Sequence, residues 1–194
     1  MRLLFLIPVA ALATAAAAEP VVYDVDPRHT YPSFEADHAG GLSNWRGKIN
    51  ETSGRITLDR AAQTGSVEMT MNMASIDFGL EEMNEHARSP DIFDVAKYPT
   101  AVYKGTLAKF ESDRPTEVNG ELTLRGVTKP LTLTIGQFLC KPVRNVEVCG
   151  ADATATLKRT DFGVDFGTQA GFKPEVTLRI QVEARRAGAA AAGR

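Results

Sequence analysis

The stretch VNGELTLRGVTKPLTLTI, running from Val118 to Ile135, constrains the fold of this chain more than any other. Val118, Leu122 and Leu124 share one parity, and Asn119, Glu121, Thr123 and Arg125 share the other. After a short break, Leu131, Leu133 and Ile135 alternate with Thr132 and Thr134. Strict alternation means two β-strands, each with one apolar face and one wet face. What the apolar face looks at decides the function: a packed core, a lipid bilayer or a ligand.

Similar strands are expected along the whole chain. Tyr23–Asp26, Ser33–His38, Trp45–Asn50, Gly54–Asp59, Ser66–Asn72 and Thr100–Phe110 precede the pair Glu117–Arg125 and Leu131–Phe138. Glu147–Lys158 sets Ala153, Ala155 and Leu157 against Thr154, Thr156 and Lys158. Glu175–Glu183 sets Val176, Leu178, Ile180 and Val182 against Glu175, Thr177, Arg179 and Gln181. Many short strands separated by turns point to a sandwich or a barrel. One segment differs: Leu80, Met83 and Ala87 stand at helical spacing before Pro90 interrupts, so a short helical segment is expected over about 80–95.

The first 18 residues read as a cleavable secretory leader. Arg2 is followed by LLFLIPVAALATAAAA, and Ala16-Ala17-Ala18 form the small-residue cleavage site before Glu19. The expected organisation is a leader over 1–18, one domain over 19–186 and a disordered tail over 187–194. The expected location is the periplasm. Net charge is −2 with both signs interspersed, which argues against nucleic acid or an anionic membrane surface as partner. No later stretch reaches the roughly 18 apolar residues that a membrane helix needs, so no stable membrane insertion is expected. The pattern leaves room for a homodimer. Cys140 and Cys149 are the only cysteines, and an exported chain meets an oxidising compartment, so a disulfide in the segment joining two strands is expected.

Alternation alone leaves three architectures open. An outer-membrane barrel needs long strands and aromatic girdles, whereas aromatics are 7% of this chain and cluster in loops. A sandwich packs its two sheets into a solid core. A lipocalin-like barrel turns the apolar face inward and can hold one ligand. Small or adaptable residues at inward parity, Ala153, Ala155, Met69, Met71 and Met73, favour the hollow form, although a packed core uses them too.

Four stretches carry a family resemblance: YDVDPRHTYPSFEADH, HARSPDIFDVAKYPTAVYKG, NGELTLRGVTKPLTL and CGADATATLKRTDFGV. In this order and at this spacing the chain resembles the YceI-like family of exported bacterial lipid-binding, lipocalin-like proteins. The resemblance implies an all-β fold, an eight-stranded antiparallel barrel with a helix near one end and a long apolar pocket for an isoprenoid or fatty-acyl chain.

The residues expected to line that pocket are Met69, Met71, Leu122, Leu124, Leu133, Ile135, Ala153, Ala155, Leu157, Leu178 and Ile180. At its mouth, Phe34, His38, Trp45, Arg46, Arg159 and Asp161 are the candidates for orienting a head group. No catalytic residue, metal or cofactor is expected beyond a bound lipid. The histidines, His29, His38 and His86, show no metal-binding spacing. RTDFG, Arg159 to Gly163, lacks every other kinase element, and no G-x-S-x-G is present. The expected function is therefore binding of a long-chain lipid rather than catalysis, with a pocket enzyme as the alternative.

Overall fold

The structure, a computed structural model, describes residues 19–188. The expected leader, and the tail beyond Gly188, lie outside the described residues. Eight antiparallel strands close into a barrel in which each pairs with the next in sequence. Three are interrupted. β1 is Val21–Val25 continued by Tyr31–His38, β2 is Ser43–Ile49 continued by Thr52–Asp59, and β3 is Thr64–Asn72 continued by Ile76–Asp77. β4 (Thr100–Leu107), β5 (Glu117–Leu124), β6 (Val127–Val143), β7 (Val146–Lys158) and β8 (Glu175–Arg186) are continuous. β8 closes the ring on both halves of β1, through Val25↔Ala184 and Ala36↔Val176. Closure pairs most of the sheet edges that an open meander would expose.

Two tight turns set the register of the opening stretch and its neighbour. Arg125 and Gly126 connect β5 to β6, and Arg144 and Asn145 connect β6 to β7, all four with positive φ. Two successive left-handed residues match the twist of the flanking strands. Between Ile135 and Gln137 the β6–β7 register shifts, with Gly136 as the extra residue. A bulge reverses parity, so Ile135 and Phe138 both line the interior while Leu139 is exposed.

The bulge also accounts for a difference from expectation. β6 does not end near Phe138 but runs on to Val143, so the cysteines lie within paired strands and not in a connecting segment. Cys140 and Cys149 are direct cross-strand partners with Cα atoms 4.0 Å apart, and their sulfurs are joined. Just past the end of β8, the Ala187 N–H donates to the Val22 carbonyl at 2.8 Å.

The helix, α1 (Glu81–Arg88), is shorter than the expected 80–95. Ser89 precedes Pro90, and the ring of a proline drives the preceding residue out of the helical region. Ser89 accordingly sits at ψ 166°, and residues 90–97 continue as turns. Glu81 and Glu82 in the first turn and Arg88 in the last complement the helix dipole. Ala87, fully buried, packs with Ile49, Met73, Ile76 and Ala101, which seats the helix on one end of the barrel. Among the described residues no helix is long and apolar enough to cross a membrane.

Candidate ligand-binding site

The inward faces of the strands do not meet in the middle. They enclose a cavity of about 500 Å³. Its walls are Ile56, Leu58 and Val67 to Met73 at alternate positions on one side, and Leu122, Leu131, Leu133, Ala153, Leu178 and Ile180 on the other. Tyr23, Leu58, Leu107, Pro115 and Cys149, all buried, occupy the end far from the helix. Behind them, Arg60 donates to Glu147 at 2.7 Å and the Tyr23 hydroxyl donates to the same carboxylate at 3.0 Å. Cys140, Glu147 and Cys149 converge within 4.8 Å, with the two sulfurs bonded to each other in this structure.

One polar group stands deep in the wall. The buried Tyr103 hydroxyl donates to the Leu131 carbonyl at 3.0 Å, with the Val118 carbonyl at 3.3 Å. It reaches them over Gly120, where a Cβ would lie 2.6 Å from the hydroxyl oxygen and 2.4 Å from the Lys104 carbonyl. Burial pushes the phenol up to about 12, so at neutral pH it is an uncharged donor already engaged by the backbone.

The open end is aromatic. Phe34 meets Phe78 edge-on at 5.3 Å, Phe78 lies 6.1 Å from Trp45, and His38 stands between Trp45 at 4.9 Å and Phe172 at 5.5 Å. His86 of α1 meets Phe166 at 4.6 Å. Arg159 also lines this end. It donates from Nη1 to the Val164 and Phe166 carbonyls at 2.8 Å each and from Nε to the Lys173 carbonyl at 3.3 Å. Desolvation lowers its pKa, opposed by the charges of Asp165 and Asp37. Among the described residues no carboxylate lies within ion-pair distance of it, so its charge is shared mainly with backbone dipoles.

The YceI-like domain matches residues 23–184, nearly the whole described barrel. The chain belongs to the YceI-like family. A UPF0312 protein of Pseudomonas aeruginosa is 35% identical over 184 residues, covering 91% of this chain and 93% of that one. The crystal structure of a Campylobacter jejuni YCEI protein superposes with a TM-score of 0.62 at 27% identity, over 75% of this chain and 86% of that one. A polyisoprenoid binding domain from Saccharophagus degradans superposes with a TM-score of 0.60 over 86% of this chain and 99% of that one. At 14% identity that likeness shows the fold alone.

In this YceI-like barrel, Met69, Met71, Leu122, Leu124, Leu133, Ile135, Ala153, Leu157, Leu178 and Ile180 line the cavity as expected from parity, and Phe34, His38, Trp45 and Arg159 stand at its mouth. Three expected residues do not. Ala155 has the right parity and packs against the core, but it is not part of the cavity wall. Arg46 is on the outer face of β2, bonded to Glu35 at 3.0 Å. Successive strand residues point to opposite faces, so Trp45 and Arg46 could not both face inward. Asp161 is exposed on the turn after β7 and borders a shallow outer hollow beside Lys158. Sequence reasoning missed Tyr23, Tyr103 and Phe138. The parity of Thr100–Leu107, with Ala101 and Tyr103 in step, could have found Tyr103, but Phe138 is concealed by the bulge.

Proposed function

We propose that this chain is an exported binding protein that holds an isoprenoid or another long-chain lipid in the barrel, for carriage, storage or stress protection. It acts in the periplasm after loss of the leader, and it is not an enzyme. The observation that carries this reading is the cavity: about 500 Å³, lined mainly by apolar side chains, with the charged or ionisable Asp37, His38, His86 and Arg159 at one end and the Tyr103 hydroxyl already engaged by the backbone. At about 30 Å³ for a water-sized group, that volume holds on the order of 16 chain carbons. Each buried methylene is worth about 0.8 kcal/mol, so such a tail binds firmly even after the substantial ordering losses of association. His38 and Arg159, which line the mouth, are the side chains proposed to meet a head group. A like-folded domain bears the name polyisoprenoid binding, which makes an isoprenoid the first chain to test.

The test is native mass spectrometry of protein purified from its own host without detergent, followed by solvent extraction of any excess mass. An amphiphile with a long apolar tail is expected. Protein that emerges empty, and that takes up no isoprenoid or fatty-acyl lipid on incubation, overturns the proposal.

A further inference from the structure

The barrel wall is not sealed to the same degree all the way round. β6 and β7 pair from Val143↔Val146 to Thr134↔Thr154, and there their ladder stops. Beyond that level β6 continues to Val127 paired with β5, and β7 continues to Lys158 paired with β8. Two strand edges therefore face each other without a ladder. The β6 edge carries Lys129-Pro130, a charge and a residue with no N–H, which is the chemistry that keeps open edges from pairing wrongly.

Outside this slot lies the hollow lined by Lys129, Pro130, Leu131, Leu157 and Phe162. Leu131 and Leu157 also line the main cavity, so one layer of side chains separates the two. Phe162, 3% exposed, belongs to the core cluster and sits on the 3₁₀ turn Arg159–Phe162 that leaves the end of β7. The turn ends at Gly163 with φ 71°. Arg125, at the tip of the β5–β6 hairpin, holds it from across the slot. Its Nη1 donates to the Gly163 carbonyl and its Nη2 to the Pro90 carbonyl at 2.9 Å, while its Nε is buried with no partner.

We propose that the slot is a side entrance to the cavity, with Phe162 as its stopper and Arg125 as the latch. Widening it breaks no ladder hydrogen bonds, unlike opening any fully paired strand pair. Releasing the latch lets water satisfy the unpartnered Nε, which offsets part of the loss of its two carbonyl contacts. A long apolar chain passes sideways through the slot without threading the aromatic mouth. The nature of the passenger rests on the proposed lipid-binding function, but the slot itself does not.

The test is stopped-flow uptake and release of N-phenyl-1-naphthylamine, a small neutral fluorophore that needs only a dry apolar cavity, by the full mature protein. Phe162→Ala and Arg125→Ala are each expected to speed both uptake and release about tenfold or more, equivalent to about 1.4 kcal/mol of barrier. The equilibrium affinity should move less than the rates, and Phe162→Trp should remain slow. Arg125 lines neither cavity nor hollow, so a purely structural role would lower its variant's melting temperature and leave the rates unchanged. That result in both variants overturns the proposal. Wild-type protein that takes up no fluorophore overturns the entrance and the lipid reading together. Uptake of the fluorophore without binding of any long-chain lipid overturns only the lipid reading, and the variant rates still decide the slot.

Discussion

Replacing Ala153 by Phe separates a hollow barrel from a solid one. Ala153 is 6% exposed, lies opposite Ile135 in the β6–β7 ladder and lines the cavity. A phenyl ring there projects into about 500 Å³ of space and displaces roughly four methylenes of a bound tail. At about 0.8 kcal/mol per methylene the loss is about 3 kcal/mol, or on the order of 100-fold in affinity. Ala155→Phe is the matched control, because Ala155 packs against the core without lining the cavity. There the ring overpacks, at roughly 1–3 kcal/mol, and each kcal/mol lowers the melting temperature by about 2–4 °C in a domain of this size. Displacement titrations with a sixteen-carbon and a ten-carbon alcohol, run beside thermal melts, read both effects. Ala153→Phe should lose the long chain, keep the short one and melt near the wild type. Ala155→Phe should melt early and keep both. The reasoning is refuted if Ala153→Phe melts as early as Ala155→Phe while long-chain affinity is unchanged.

Three further outcomes are expected. Burial alone would raise the carboxyl of Asp26, but His29 at 3.0 Å, the Arg28 N–H at 3.0 Å and Arg185 at 3.1 Å outweigh it and hold the group at about 2. An unfolded Asp titrates near 4, so the ionised group contributes about 2 kcal/mol of stability, present in full above about pH 4 and lost as pH falls towards 2. In urea denaturation, the stability gap between wild type and Asp26→Asn should therefore close between these values; a gap constant from pH 5 to pH 2 contradicts the assignment. Cys140 and Cys149 should show no reactive thiol when the exported protein is denatured without reductant, and reduction should destabilise it by roughly 2–3 kcal/mol in the chain-entropy model; two titratable thiols count against the bond. N-terminal sequencing of protein released by osmotic shock should begin at Glu19, and finding Met1, or release by detergent alone, rejects export by a cleaved leader.

The strands were legible because a period-two pattern is local: each residue's hydrophobicity states which face of its own strand is dry. That is why ten of the eleven expected wall residues line the cavity, from Met69 on β3 to Ile180 on β8. The same locality explains the failures. Trp45 and Arg46 are neighbours on one strand, so alternation turns only one of them inward, and Asp161 has the chemistry of a head-group contact on a turn that faces outward. The bulge at Gly136 reverses the parity of β6, which hid Phe138 and placed the cysteine pair in a supposed connection instead of a ladder. Whether the interior is filled was beyond the pattern, since Ala and Met serve a solid core as well as a hollow one. The closed ring decided it: eight strands can be filled by their side chains or can hold one ligand, and here the inward side chains leave about 500 Å³ open. The slot beside Phe162 belongs to the tertiary structure for the same reason, because it depends on where two neighbouring strands stop pairing, and no residue records that in its own type.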